Sequence, residues 1–303
     1  MKKRQLGTSG IYVSELGLGC MSLGTDEEKA QSIIETALNE GINYFDTADL
    51  YDYGVNEKIV GKALKRVREE VVIATKVGNR WNEQKDGWSW DPSKAYIKEA
   101  VKNSLNRLGV EYIDLYQLHG GTIEDHIDES IEAFEELKAE GFIRAYGISS
   151  IRPNVIREYV RKGNIDSVMM QYSILDRRPE EEALPFLTKN HVSVLTRGPL
   201  AKGVLSDKWP EKSLDKGYLD YNDGELKALL LELEDQFKSA RPLHEVAMQY
   251  NLANEGVSSI IAGASSSEQV KKNAAAVKAP SLSDEEVSFI QKVAKASRYE
   301  AHR

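Results

Sequence analysis

The chain has 303 residues, 41% of them hydrophobic and 29% charged, a composition that excludes a disordered or low-complexity protein. Lys plus Arg total 40 against 48 Asp plus Glu, and the net charge of −8 argues against nucleic acid as the main partner, because phosphate binding needs a basic face, although a local patch stays open. The single cysteine, Cys20, excludes an internal disulfide framework and any cysteine-cluster metal site.

At the N-terminus, Lys2, Lys3 and Arg4 precede no apolar signal core. No apolar run approaches the roughly 18 residues that span a bilayer, so a cytoplasmic protein without a membrane partner is expected. Arg4 to Val13 reads as a small hairpin around a Gly-containing turn. Leu16 to Cys20 is the first strand. Thr25-Asp26-Glu27-Glu28 reads as a capping box ahead of Ala30, Ile33, Ile34, Ala37 and Leu38, whose spacing puts them on one helical face. Gly41 follows the last turn, where a left-handed residue commonly ends a helix.

Further strands are expected at Asn43 to Asp46, Val71 to Lys76 and Ile113 to His119. Between the last two, Asp91-Pro92 reads as a helix start with Pro at the first helical position. Its apolar stripe is Ile97, Val101, Leu105 and Leu108. A third helix carries Ile127, Ile131, Phe134 and Leu137. The remaining strands are Ile143 to Ser149, Ser167 to Gln171, Ser193 to Thr196 and Val257 to Ile261. Glu180-Glu181-Glu182 reads as a solvated helix start. Ser206 to Gly224 is polar, holds two Gly and one Pro, and reads as a long loop. Ser283-Asp284-Glu285-Glu286 is a capping box opening a C-terminal helix.

Eight short apolar strands alternating with helices, without a composition break, predict one α/β domain over residues 1–303. The fold expected is a single (β/α)8 TIM barrel with an N-terminal β-hairpin and a C-terminal helical extension. The rival is a doubly wound dinucleotide-binding sheet, whose fingerprint is Gly-x-Gly-x-x-Gly. The run from Gly17 to Gly24 places its third Gly two residues too late. A Walker-type phosphate loop is also absent: Gly61-Lys62 is followed by Ala63.

Barrel chemistry sits at the C-terminal strand ends and in the loops just after them. Those positions hold Asp46, Tyr51, Lys76 and His119. A lysine ammonium beside a phenol stabilises the phenolate and lowers its pKa. A carboxylate would hold the lysine, and an imidazole could donate to a substrate oxygen. Together they make a proton-donating site for reducing a carbonyl. Each residue also has a plainer reading. Asp46 could be a turn cap, Tyr51 a half-buried aromatic, Lys76 a snorkelling side chain and His119 a core histidine. Joint coincidence is the weaker account.

Phe45-Asp46-Thr47-Ala48-Asp49-Leu50-Tyr51, then Gly54, Asn56-Glu57 and Gly61-Lys62-Ala63-Leu64, resembles the signature of the aldo-keto reductase superfamily. Ala74-Thr75-Lys76 and Leu115-Tyr116-Gln117-Leu118-His119 match its next motifs. The resemblance runs from about Leu6 to about Asn273 and looks closest to bacterial members related to potassium channel β subunits. It implies reduction of aldehydes or ketones with a nicotinamide cofactor, usually NADP(H). Tyr51 would be the general acid, Lys76 its pKa modulator, Asp46 the partner of Lys76, and His119 the orienter of the carbonyl oxygen.

Met21, just past the first strand, is expected near the nicotinamide, and the resemblance implies Asp46, Ser149 and Gln171 as contacts there. Ser150 stands where the family commonly has Asn. Arg197 stands where it often has a stacking aromatic; a guanidinium is planar and can also stack. Gly198, Leu200 and Lys202 would face the pyrophosphate, and Gly263, Ser265, Gln269 and Asn273 the adenosine end. Ser265 stands where a basic residue often grips the 2′-phosphate, which leaves NAD(H) open.

The loop after Lys76 carries Trp81, Trp88 and Trp90, and Trp81 and Trp88 are the candidates for substrate contact. His126, His191, His244 and His302 form no metal-binding spacing and read as surface or cap positions, so no metal is expected. Cys20 lacks an activating base. Two other functions are weighed: a lyase using Lys76 as a Schiff base, and a nucleotide-binding redox-sensing regulatory subunit with slow turnover, as the channel-subunit likeness suggests.

Overall fold

The segments expected as strands pair in parallel all the way round. The computed structural model describes residues 1–303. β1 (Lys3–Gln5) and β2 (Tyr12–Ser14) form the N-terminal hairpin. β3 (Leu16–Gly19), β4 (Tyr44–Asp46) and β5 (Val72–Val77) follow. β6 (Asn79–Trp81) and β7 (Trp88–Trp90) make a second antiparallel hairpin. β8 (Ile113–Leu118), β9 (Ile143–Ser149), β10 (Ser167–Gln171), β11 (Ser193–Arg197) and β12 (Val257–Gly263) complete the set. The closed barrel runs β3-β4-β5-β8-β9-β10-β11-β12 and back to β3.

Between and after the strands lie α1 (Glu27–Asn39), α2 (Val55–Leu64), α3 (Lys94–Leu108), α4 (Ile127–Ala139) and α5 (Pro153–Lys162). They are followed by α6 (Ala183–Lys189), α7 (Asp223–Phe237), α8 (Leu243–Leu252), α9 (Ser267–Lys278) and the C-terminal α10 (Asp284–Val293). The helical stripes read from spacing are buried: Ile97, Val101, Leu105 and Leu108 on α3, and Ile127, Ile131, Phe134 and Leu137 on α4. They join the large apolar layer between helices and strands.

A smaller cluster fills the barrel itself. Tyr44, Val72, Ala74, Leu115, Ala145, Met169, Leu195 and Ile261 come from the strands, and Leu6, Ile11 and Val13 come from the N-terminal hairpin. The hairpin therefore plugs the lower end. Gly7, at φ 52°, sits so close to β10 that a Cβ would lie 2.4 Å from the Asp166 carbonyl oxygen. Side chains alternate along a strand. Two residues beyond Tyr44, Ala74, Leu115, Met169, Leu195 and Ile261 come Asp46, Lys76, Gln117, Gln171, Arg197 and Gly263. The packing of the barrel interior thus decides which side chains reach the upper mouth.

Local details differ from the sequence reading. Asp26 alone caps α1, accepting from the Lys29 amide, because Thr25 lies one residue too early. α3 starts at Lys94, capped by Ser93, while Asp91 accepts from the Ser93 amide and hydroxyl; Pro92 precedes the helix. The Trp-bearing segment is the β6–β7 hairpin rather than irregular loop. The long polar loop contains a short turn at Trp209–Glu211 and gives way to α7 at Asp223, capped by Asn222. Of the acidic run before α6, Glu181 is exposed, whereas Glu180 is half-buried and accepts from Tyr172 at 2.8 Å, Tyr250 at 2.5 Å and Arg177 at 2.7 and 2.9 Å. Arg177 in turn donates to the carbonyls of Gln291 and Ala294, which fastens the end of α10 to the barrel.

Candidate active site

β4 and β5 are neighbours in the barrel, and Asp46 and Lys76 end their inward-facing rows. Lys76 Nζ donates to Asp46 Oδ2 at 2.6 Å, to the Thr47 carbonyl at 2.8 Å and to Tyr51 Oη at 3.4 Å. Both charged groups are almost wholly buried. A buried ammonium persists only with such partners. Burial opposes its charge, but Asp46 and Tyr51 outweigh burial and hold the Lys76 pKa above its ordinary value.

Tyr51 follows the β4 strand end, and the chain then turns through left-handed Asp52 and Tyr53, φ 48° and 50°, into α2. Burial raises the Tyr51 pKa, with Lys76 pulling the other way. The sequence reading expected a net lowering; in the closed-in site desolvation wins, and the resting phenol keeps its proton. His119 lies across from it, ring centroids 6.0 Å apart and nearly perpendicular. Its backbone amide donates to the Val77 carbonyl at 2.7 Å, which fixes it beside β5. Burial, then the charges of Lys76 and Arg197, push its pKa down to about 3. The imidazole is neutral at physiological pH. Its Nδ1 is buried without a partner, so the proton belongs on Nε2, because an orphaned N–H costs more than an orphaned lone pair. The tetrad expected from sequence is therefore brought together.

A second set of polar residues supports it. Thr47 donates to Asn56 Oδ1 at 2.7 Å, and Asn56 Nδ2 donates to the Cys20 carbonyl at 2.9 Å. Glu57 is fully buried, accepting from Thr75 at 2.7 Å and Arg107 at 2.5 Å. Asp49, buried near it, is pushed up to about 8 by desolvation and the Glu57 charge. Asn56 and Glu57 were visible only as motif letters; their role needs the loop geometry. Gln117 reaches Asp46 Oδ1 at 3.5 Å. The Cys20 thiol is buried, and desolvation raises its pKa, consistent with an inert side chain.

Beside the tetrad a groove of about 860 Å³ runs over the ends of β11 and β12. Gly198, Leu200, Lys202, Gly263, Gln269 and Asn273 all line it. A Cβ on Gly263 would lie 2.6 Å from Ser22 Oγ, so a larger residue there would push the Ser22 side chain aside and crowd the groove. Ser265 is not among the lining residues: its amide and hydroxyl both bond Gln269 Oε1, and Ser266 lines the groove instead. His244, read as a surface or cap residue, is a buried wall of this groove. Its Nε2 has no partner, and burial followed by the Lys272 charge pushes its pKa down to about 4. α8 is buried at every residue but Glu245, yet it carries His244, Gln249 and Asn251, so its sequence carries little sign of that depth.

The remaining candidates ring the mouth. Arg197 donates to Gln171 Oε1 at 3.2 Å, and Gln171 donates to Tyr218 Oη at 3.1 Å. Tyr218, from the loop after β11, was not anticipated. Ser149 is half-buried at the end of β9, Ser150 accepts from the Arg152 amide, and Met21 is exposed. Trp81 is held edge-on to Tyr53 and beneath Arg107, which turns it toward α3. Trp88 is exposed. Trp90 donates to both carboxylate oxygens of Asp125 at 3.1 Å and packs over Gly78 and Gly120, the backbone flanking His119.

Residues 15–295 match the Aldo/keto reductase family. The chain belongs to that family. It is similar to the uncharacterized oxidoreductase YqkF of Bacillus subtilis, 56% identical across the whole of both chains. It is 34% identical to the NADH-specific methylglyoxal reductase of Escherichia coli over 98% of this chain and 99% of that one. The solved aldo-keto reductase AKR11C1 of Bacillus halodurans in its holo form superposes with a TM-score of 0.95 at 61% identity, covering 100% of this chain and 99% of that chain. The apo form of the same enzyme gives 0.87. As an aldo-keto reductase the protein is an NAD(P)H-dependent oxidoreductase. None of its helices is long and apolar enough to cross a membrane.

Proposed function

We propose that this aldo-keto reductase reduces small aldehydes or ketones to alcohols in the cytoplasm with NADPH, residues 1–303 working as one catalytic unit. The observation that carries the reading is Lys76 Nζ, buried between Asp46 at 2.6 Å and Tyr51 at 3.4 Å. Nicotinamide, when bound, supplies the hydride for the carbonyl carbon. Tyr51 gives its proton to the carbonyl oxygen, and Lys76 stabilises the phenolate left behind. Asp46 keeps Lys76 charged and in place. Neutral His119 donates from Nε2 to the same oxygen and sets its orientation. Tyr51 is then reprotonated from solvent.

The groove residues suit a dinucleotide. Gly198, Leu200 and Lys202 face the pyrophosphate in this reading, and Gly263, Gln269 and Asn273 the adenosine. Met21, Ser149, Gln171 and Arg197 meet the nicotinamide end. Lys202, Lys208 and Lys212 outnumber Glu211 and Glu268 along the groove, and Lys272 is paired with Asp207 at 2.7 Å, a balance that favours the extra 2′-phosphate of NADP(H). The nearer likeness to a holo form supports a cofactor-ready groove. In place of Ser265, this reading gives the phosphate to Ser266, which caps α9 at the groove wall, and to Lys272, which would exchange its Asp207 partner for it. Trp88, exposed on β7, is the tryptophan that this reading gives to the substrate.

The test is oxidation of NADPH against NADH with a panel of aldehydes and ketones, with wild type and Y51F side by side. Turnover with NADPH that Y51F abolishes is expected. Equal rates in the two proteins overturn the assignment, and turnover with NADH alone overturns the cofactor choice.

A further inference from the structure

The charges at the mouth nearly cancel. Asp46 and Lys76 neutralise each other at 2.6 Å, and Asp176 and Arg178 pair through two bonds of 2.7 Å. His119 is neutral and Tyr51 keeps its proton. Arg197 is different. Its one side-chain partner is the uncharged Gln171 amide oxygen at 3.2 Å, and no carboxylate stands within ion-pair distance of it. It follows the inward-facing Leu195 by two residues, so it projects into the mouth, where it is exposed. Its charge acts on both Tyr51 and His119, the groups that mark the reacting carbonyl. Arginine cannot relieve such a charge by losing its proton.

We propose that Arg197 sets the redox selectivity of nucleotide binding, favouring the reduced over the oxidised nicotinamide. The inference rests on the reading that a nicotinamide binds at this mouth. The oxidised ring carries a positive charge and the reduced ring carries none, while the phosphates are the same in both. A fixed cation beside the ring therefore opposes one form only. The opposition strengthens once the bound ring excludes water from the guanidinium. Stacking of the planar guanidinium contributes to both forms and drops out of their ratio. The consequence is prompt departure of the oxidised nucleotide after reduction, at the cost of some driving force in the chemical step.

Fluorescence titration of NADP⁺ and NADPH against wild type, R197K, R197M and R197Q separates charge from stacking. Wild type is expected to bind the reduced form more tightly. R197M and R197Q should narrow the ratio of the two Kd values by about tenfold, the effect of one nearby charge in a partly screened site. R197K keeps the charge and should keep the ratio within about threefold of wild type while weakening both forms. Equal weakening of both forms in R197M and R197Q, with the ratio unchanged, overturns the proposal and leaves stacking alone. An unchanged ratio together with a raised KM confined to keto acids overturns it in favour of a substrate carboxylate partner. A wild type that binds neither nucleotide overturns the underlying reading and this inference with it. Circular dichroism of the variants confirms folding, which an exposed side chain should not disturb.

Discussion

The Thr47 hydroxyl donates to Asn56 Oδ1 at 2.7 Å, which pins to α2 the same residue whose carbonyl takes the Lys76 ammonium at 2.8 Å. Through Asn56 Nδ2 the link continues to the Cys20 carbonyl beyond β3. One buried amide thus ties the loops after β3 and β4 to α2.

Asn56→Ala leaves the Thr47 hydroxyl and the Cys20 carbonyl buried without partners. A loss of about 1–3 kcal/mol in stability is expected from urea unfolding. A lower kcat with little change in KM should accompany it, because Lys76 loses its alignment rather than the substrate its pocket. Asn56→Asp, which can still accept from Thr47, should recover part of the rate.

Tyr51→Phe removes the proposed proton donor and little volume. Carbonyl reduction should fall by at least about 100-fold, the scale of a lost general acid. Nucleotide affinity, followed by fluorescence titration, should stay within about twofold, since the groove residues are untouched. Full activity would exclude Tyr51 as the acid.

Lys76→Met strands the Asp46 carboxylate in a buried site. Removing one partner of such a pair costs about 3–5 kcal/mol, read as a lowered denaturation midpoint. The double variant with Asp46→Asn should be more stable than Lys76→Met alone while remaining inactive. A double variant less stable than the single would mean that the carboxylate is not the source of the loss.

Acid stability should depend on two neutral histidines. His119 and His244 have native pKa values pushed down to about 3 and about 4, against about 6.5 in an unfolded chain. Between roughly pH 6.5 and those values the unfolded chain binds protons that the native chain does not. Stability is therefore full above pH 6.5 and falls as pH drops through that window. His244→Gln should flatten the fall, measured as the pH dependence of the urea midpoint. The same reasoning predicts no imidazole inflection near pH 6.5 in the rate of carbonyl reduction.

The barrel was legible because its strands are short, apolar and regularly spaced, and because Asp46, Lys76 and His119 end them in the right phase. The stripes of α3 and α4 were legible for the same reason of period. Helix starts were less so: Thr25 and Pro92 look like start signals, but the neighbouring Asp26 and Ser93 place their oxygens better. The β6–β7 hairpin was hidden because Trp-rich sequence suggests a pocket wall as readily as a paired strand. His244 was misplaced and Glu180 only partly read, because polar composition speaks for solvent, whereas Tyr172, Tyr250 and Arg177 give Glu180 enough partners to be half-buried.

By itself the sequence determined the alternation of strand and helix, the closed parallel barrel, and the four residues at its mouth. The alternation follows from local periodicity, which a linear chain carries in full, and the four residues from their places at strand ends and in the motifs around them. Only the tertiary structure decided the net direction of the Tyr51 pKa, the neutrality of His119 and the lack of a carboxylate partner for Arg197. These depend on how deeply each group is buried and which charges stand beside it, and elements far apart in the chain set both. The groove makes the same point: His244 from α8, Lys202 from the loop after β11 and Asn273 from α9 meet along one wall only because the barrel brings those elements together.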